Sequence, residues 1–229
     1  MTKQRAMQIS LMIDKALKAG RKALSEHESK QLLAAYGVPV APERVAADAA
    51  EAAGLAEQIG YPVVLKGLGA TLLHKTERGL VHLNLGSKAA VARAAKAIMR
   101  EAKDELEGIL GPPQIKGKRE FVAGVSHDPI FGPTVMFGLG GIFTEALADI
   151  ALRIAPLSEH DAQEQIGEIK AQSLLGPFRG EKAVQSAALV RTLMALSTIA
   201  LEYPEIAEID INPLLATPEG EIYAVDALV

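Results

Sequence analysis

No cysteine occurs in these 229 residues, and only 4% are aromatic. The first absence excludes disulfides, thiolate metal sites and a cysteine nucleophile, and it fits an intracellular protein. The second means that the core is built from Ala, Val, Ile and Leu, a composition that predicts parallel or mixed sheets covered by Ala-rich helices. No apolar run is long enough for a membrane span or a signal peptide, so the expectation is a soluble cytoplasmic protein. Internal repeats and low-complexity tracts are also missing. A chain of this length can bury roughly 70–75% of the surface its unfolded form would expose, which is enough to fold without staples.

Net charge is small but unevenly placed. The formal net charge is −4, yet Lys3, Arg5, Lys15, Lys18, Arg21 and Lys22 stand against Asp14 alone in residues 1–24, a net of +5 that leaves −9 for the rest. Ile9, Met12, Ile13, Ala16 and Leu17 recur there at helical spacing, so this lead reads as an amphipathic helix that docks on its own body or on a partner. It lacks the interleaved aromatics or reader motif that a nucleic-acid arm would show.

Punctuation divides the remainder. Ser25 and Glu28 are spaced as a capping box before Leu32, Leu33 and Tyr36, and Gly37 stops that helix. An extended stretch at 38–45 follows, then an Ala-rich helix opened by Asp48 and closed at Gly60. "YPVVLKGL" and "GLVHLNL" read as strands, and Ser87 starts a helix running to about Glu107. "GPPQ" at 111–114 marks a lobe boundary. Beyond it, "REFVAGVS" and "PTVMFGLG" read as strands joined by "HDPIFGP". "ALADIALRIAPL" fits strand or helix, helices follow at 158–169 and 183–201, and a terminal hairpin covers 208–229. The expected organisation is therefore a helical lead (1–24), a first α/β lobe (25–110) and a second (111–229), with a ligand in the cleft between lobes.

Several polar residues sit where apolar ones would be expected. Lys66 ends the run Val63-Val64-Leu65, although lysine is depleted from central strands; it is either a phosphate-binding cation or a side chain snorkelling at a strand end. His74 lies in a polar loop between Lys66 and Gly79, and a neutral imidazole is a competent phosphoryl acceptor near pH 7. Glu120 can accept from a nucleotide's amine or ribose, or pair in solvent with Arg119 or Lys118. "FGLGG" (137–141) lacks the third glycine of a dinucleotide loop and reads instead as a tight turn letting backbone lie close to something. In "EIDINPLLATPEGEIYAVDALV", Asp210 and Asn212 are two apart and face one side of a strand, with Asp226 on the hairpin partner. Magnesium takes hard oxygen ligands, often only one or two from protein. Asn212 and Asp226 would suit it, unless Asn212-Pro213 merely starts a turn and Asp226 is solvated.

Together "HKTE", "GVSHDPIFGPTVMFGLGG", "LRIAPL" and "EIDINPLL" followed by "AVDA" resemble the ATP-grasp fold, and within it the nucleotide-binding β subunits of ADP-forming acyl-CoA synthetases, over nearly the whole chain from Glu28. The resemblance implies ATP or ADP held between two lobes, Lys66 on the phosphates, and Glu120 and Val122 on the nucleoside side. It also implies Asn212 and Asp226 as magnesium ligands, Asp210 steadying a phosphohistidine, and His74 as the residue phosphorylated. The partner it implies is a CoA-binding α subunit, in an α2β2 assembly, that makes an acyl phosphate and relays its phosphoryl group. The loop departs from the family's usual pattern: Gly69-Ala70-Thr71 stands where many relatives have Ser-Pro, and Leu80 follows Gly79 where relatives often have a second glycine. A similar-looking alternative is the nucleotide-sensing module fused to protein acetyltransferases, which does not transfer phosphoryl groups.

Overall fold

The computed structural model describes residues 3–69, 72, 75–141 and 148–229. It divides into two units, the smaller formed by Ala41–Gln114 and the larger by Met1–Val40 with Ile115–Val229. The smaller unit ends at Gln114, the last residue of the glycine–proline stretch. The expected first lobe, however, began at residue 25, whereas residues 25–40 lie in the larger unit. The reason is packing: Leu32, Leu33 and Val38 are buried in the same core as Phe121 and Phe137.

In the smaller unit, four strands run in the order β1 (Arg44–Ala46), β4 (Gly108–Gly111), β2 (Val63–Leu68), β3 (Val81–Leu85), and every neighbouring pair is antiparallel. Helix α3 (Ala49–Ile59) starts where the Asp48 carboxylate accepts from the Ala50 and Glu51 amides. Helix α4 (Lys88–Ala102) starts where the Ser87 hydroxyl accepts from Ala90 N. Their alanines (Ala52, Ala53, Ala56, Ala94, Ala95) let both helices press closely on Val63, Leu65 and Ile109. Strand β4 was not foreseen. Only Ile109 and Leu110 separate two glycines there, too few residues to show a period of two, and α4 ends at Ala102 rather than near Glu107.

The larger unit holds five strands in the order β7 (Ile150–Ile154), β6 (Gly132–Leu139), β5 (Arg119–Asp128), β8 (Glu208–Ala216), β9 (Ile222–Ala224), again all antiparallel. The expectation of parallel or mixed sheets is thus corrected. Small aliphatic residues fill the space between a sheet and its helices whichever way the strands run, so composition left strand direction open. Helices α1 (Lys3–Lys18), α2 (Glu26–Ala35), α5 (Glu159–Glu168) and α6 (Ser186–Glu202) share one core with Phe121, Ala123 and Val125 of β5, Val135 and Phe137 of β6, and Ile209 and Ile211 of β8. Ten of the 17 residues of α6 are buried, as befits a helix hydrophobic around most of its circumference. At the start of α2, Ser25 and Glu28 form the expected capping box, and Arg21 grips Glu28 at 2.8 and 3.0 Å. Burial alone would raise the Glu28 carboxyl; hydrogen bonds from Arg21 and Ser25 outweigh it and hold it at about 2.

Candidate functional site

Alternation decides which residues of the larger sheet are available for chemistry. On β5, Phe121, Ala123 and Val125 enter the helix-covered core, so Glu120, Val122 and Gly124 take the other face. On β8, Ile209 and Ile211 point inward, which turns Glu208, Asp210 and Asn212 to that same second face. The parity then changes, because Leu214 and Ala216 are also inward. Phe121 pairs with Leu214 and Ala123 with Ile211, so Asn212 and Pro213 together stand opposite the single residue Val122. This is a β-bulge, seated at a proline whose nitrogen has no hydrogen to give the ladder. Asn212 is therefore part of a strand at its bulge, not the start of a turn.

The C-terminal segment completes the group. Leu214 pairs with Ala224 and Asp210 with Leu228, and the same register sets Asp226 abreast of Asn212. Asp210 N and Leu228 O bond at 2.9 Å, and Val225 N donates to Pro213 O at 3.1 Å. The Asp210 carboxyl is raised above the usual range, first by burial and then by the charges of Glu208 and Asp226. Glu208 escaped the sequence reading, although the alternation of "EIDIN" carries the signal. Among the described residues no group of three or more His, Asp and Glu is set to hold a metal by itself. Asn212 with Asp226 fits the other kind of magnesium site, one finished by water and phosphate oxygens, and the excess of negative charge around Asp210 is what a cation would offset.

That charge has a pH consequence in magnesium-free buffer. With its carboxyl raised, the folded state binds more protons than the unfolded state in the window between the ordinary aspartate value and the raised one, so stability falls as pH rises through that window. Asp210→Asn is expected to be more stable than wild type at neutral pH, with the advantage gone below about pH 4. Urea midpoints measured across that range check this, and parallel curves for the two proteins would contradict it.

Glu120 is seated by the glycines after β6. Gly140 N donates to Glu120 O at 2.8 Å, a Cβ on Gly140 would lie 2.6 Å from Phe121 backbone, and one on Gly141 would lie 2.4 Å from Glu120 Oε2. The something that "FGLGG" lets backbone approach is thus the chain's own β5. Gly141 also has φ +68°, a conformation that disfavours a side chain. Gly141→Ala should cost about 1 kcal/mol or more. Glu120→Ala added to it should recover the part due to the clash but not the backbone part; thermal melts of the two singles and the double separate the two contributions. Arg119 does not accompany Glu120 in solvent, one of the sequence alternatives. It is buried on the opposite side of β5, with Nε 2.9 Å from Glu181 Oε2 as an ion pair whose angle is too poor for a hydrogen bond.

In the smaller unit, Lys66 lies in β2 between β3 and β4, paired with Val81 and Leu110, and is 6% exposed. It is not a lysine snorkelling into solvent from a strand end. Leu65 belongs to the helix-covered core, which places Lys66 with Val64 on the sheet's other face. His74 lies outside the described residues. The turn after it is closed by Leu80 N to Lys75 O at 2.8 Å and Gly79 N to Thr76 O at 3.1 Å.

The larger unit thus sets Glu120, Asp210, Asn212 and Asp226 on one face of its sheet, and the smaller holds a buried strand lysine. The ATP-grasp domain family matches residues 15–229: the chain belongs to that family. The β subunit of the ADP-forming acetate–CoA ligase I of Pyrococcus furiosus is 42% identical over 221 residues, covering 94% of each chain. The dinucleotide-forming acetyl-coenzyme A synthetase 1 of Ca. Korarchaeum cryptofilum, in complex with coenzyme A, Ca-AMPCP and HgCl+, superposes with a TM-score of 0.89 and 43% identity, covering 94% of this chain and 96% of that one. A second structure of that enzyme, with coenzyme A and Mg-AMPPCP and its phosphohistidine segment pointing towards the nucleotide binding site, gives 0.84 and 40%, covering 96% and 98%. Within the ATP-grasp family this chain therefore stands among the β subunits of the ADP-forming acetate–CoA ligases.

Proposed function

We propose that this chain binds ATP or ADP and transfers a phosphoryl group between the nucleotide and a phosphohistidine at His74, as one half of an acid–thiol ligase. The other half is a CoA-binding α subunit, in an α2β2 assembly, that interconverts a carboxylic acid and CoA with acyl-CoA. The observation that carries the reading is the second face of the larger sheet, where register and a bulge gather Glu120, Val122, Asp210, Asn212 and Asp226. Glu120 and Val122 bind the nucleoside, and Lys66 supplies a fixed cation to the phosphates. Asn212 and Asp226 hold magnesium, which when bound offsets phosphate charge during transfer.

In the direction that makes ATP, the partner hands on the phosphoryl group of an acyl phosphate and the free acid leaves. His74 receives that group; its N–P bond then breaks as a terminal oxygen of ADP forms the new P–O bond, and the imidazole is released neutral. Asp210, with its raised affinity for a proton, hydrogen-bonds the imidazole and keeps it oriented. Among the described residues no helix is long and apolar enough to cross a membrane.

The test is phosphoryl labelling. The purified chain, its CoA-binding partner, magnesium and γ-labelled ATP should give an acid-labile, base-stable label on this chain that is lost in His74→Ala. Nucleotide binding without any label would instead support a sensing module.

A further inference from the structure

The geometry points to α1 and the recess beneath it as the seat of the CoA-binding partner, an inference that rests on the two-subunit reading above. Helix α1 is held to its own body by the buried Ile9, Ile13 and Ala16, with Met12 partly buried against the same core. Three of its large apolar side chains face outward: Met7, Leu11 and Leu17 are 66%, 56% and 54% exposed. Such a helix has more apolar surface than its own fold uses. Both sides of its footing are also incompletely filled. Toward the sheet, Ile13, Leu17 and Leu24 wall a cavity of about 330 Å³ with Ile206 and Leu228. Toward α2, an open groove of about 760 Å³ runs past Leu11 and Met12.

Charge selects the occupant. Met7, Leu11, Lys15 and Lys18 follow one another at three- or four-residue steps, so the outward stripe passes from apolar to basic, and Lys22 lies just beyond the helix end. These lysines are exposed and belong to the segment of net +5 in a chain whose other residues total −9. The far wall of the cavity is acidic, with Glu205, Glu208 and Asp210. An occupant is thereby oriented: an apolar side chain fills the recess, an acidic flank lies along α1, and a basic flank meets β8. Asp210 is shared between this cavity and the candidate site. A polypeptide seated here abuts Asp210, to which the reading above gives the orienting of the phosphohistidine; the subunit that delivers the phosphoryl group has reason to lie beside it, and a second copy of this chain has none.

The experiment uses two variants, Leu17→Glu, and Lys15→Glu with Lys18→Glu and Lys22→Glu, which leave the buried Ile9, Ile13 and Ala16 unaltered. Each is titrated with MgATP alone and with the purified CoA-binding subunit at two salt concentrations. The expected result is unchanged MgATP affinity, partner affinity lower by about tenfold or more, and a wild-type association that weakens with salt more steeply than that of the triple variant. Partner affinity equal to wild type in both variants overturns the docking proposal and leaves the two-subunit reading standing. Loss of self-association with partner binding intact also overturns it, because the face would then join two copies of this chain. A wild-type chain that binds MgATP but never the CoA-binding subunit overturns the two-subunit reading itself, and the docking proposal with it.

Discussion

Arg119→Met will lower the stability of the larger unit by about 3–5 kcal/mol. The guanidinium is 2% exposed and ties together segments far apart in sequence: Nη1 donates to Leu174 O and Gly176 O at 3.1 Å each, and Nη2 to Lys182 O at 2.7 Å and Thr217 O at 3.2 Å. Glu181, its ion-pair partner, has a side chain only 15% exposed. Methionine fills much the same volume, so the loss is electrostatic: four carbonyls lose a donor, of which Thr217 O keeps Gly220 N, and a carboxylate is left with little water around it. The loop that carries Glu181 also contains Arg179, whose φ of +47° is one that side chains disfavour, so this anchor holds a turn that would not keep its shape unaided. The urea midpoint should fall at unchanged slope. Glu181→Gln added to Arg119→Met should recover part of the loss by removing the stranded charge, and a total loss under about 1 kcal/mol would show the guanidinium to be dispensable.

What could be read in the chain, and what could not, divides along the range of the interactions. Local signals were faithful: the Ser25 and Glu28 capping box, the Asp48 and Ser87 caps, and the strand around Lys66 all stand where spacing put them. So did the shared face of Asp210 and Asn212, because period-two alternation needs no knowledge of a partner strand. Strand direction, the membership of 25–40 in the larger unit and the existence of β4 depend on what packs against what, and no window of sequence contains that. The bulge at Asn212-Pro213 lies between these cases. The proline announces an interrupted ladder, but only pairing with β5 reveals that the extra residue restores Leu214 to the core and leaves Asn212 beside Asp226. Arg119 is the clearest failure. Adjacent in sequence to Glu120, it is one of the two partners that adjacency offers, whereas neighbours in a strand point to opposite faces and its ion-pair partner lies 62 positions on, at Glu181.

Asp226→Ala and Asn212→Ala should each weaken magnesium-dependent nucleotide binding by about a hundredfold or more, beyond the 10–100-fold typical of losing a residue that only supports a ligand. The two side chains sit abreast on neighbouring segments, and neither is in the helix-covered core, so the fold should survive. The effect must be specific to the metal. Wild-type affinity for ATP should rise with added magnesium, while the alanine variants should respond little and bind metal-free ATP much as wild type does. Asn212→Asp separates the roles open to that residue: a carboxylate is also a hard oxygen donor and should keep the magnesium response, whereas a purely structural asparagine at the bulge would make aspartate no better than alanine. Asp226→Ala should in addition lower the raised Asp210 carboxyl toward its ordinary value, since the Asp226 charge is one of its causes. Calorimetric titration of ATP across a magnesium series measures the first three effects and the pH dependence of stability the fourth. Alanine variants that keep the wild-type magnesium response would remove the metal from this face, and leave the bulge as a device for keeping Leu214 in the core.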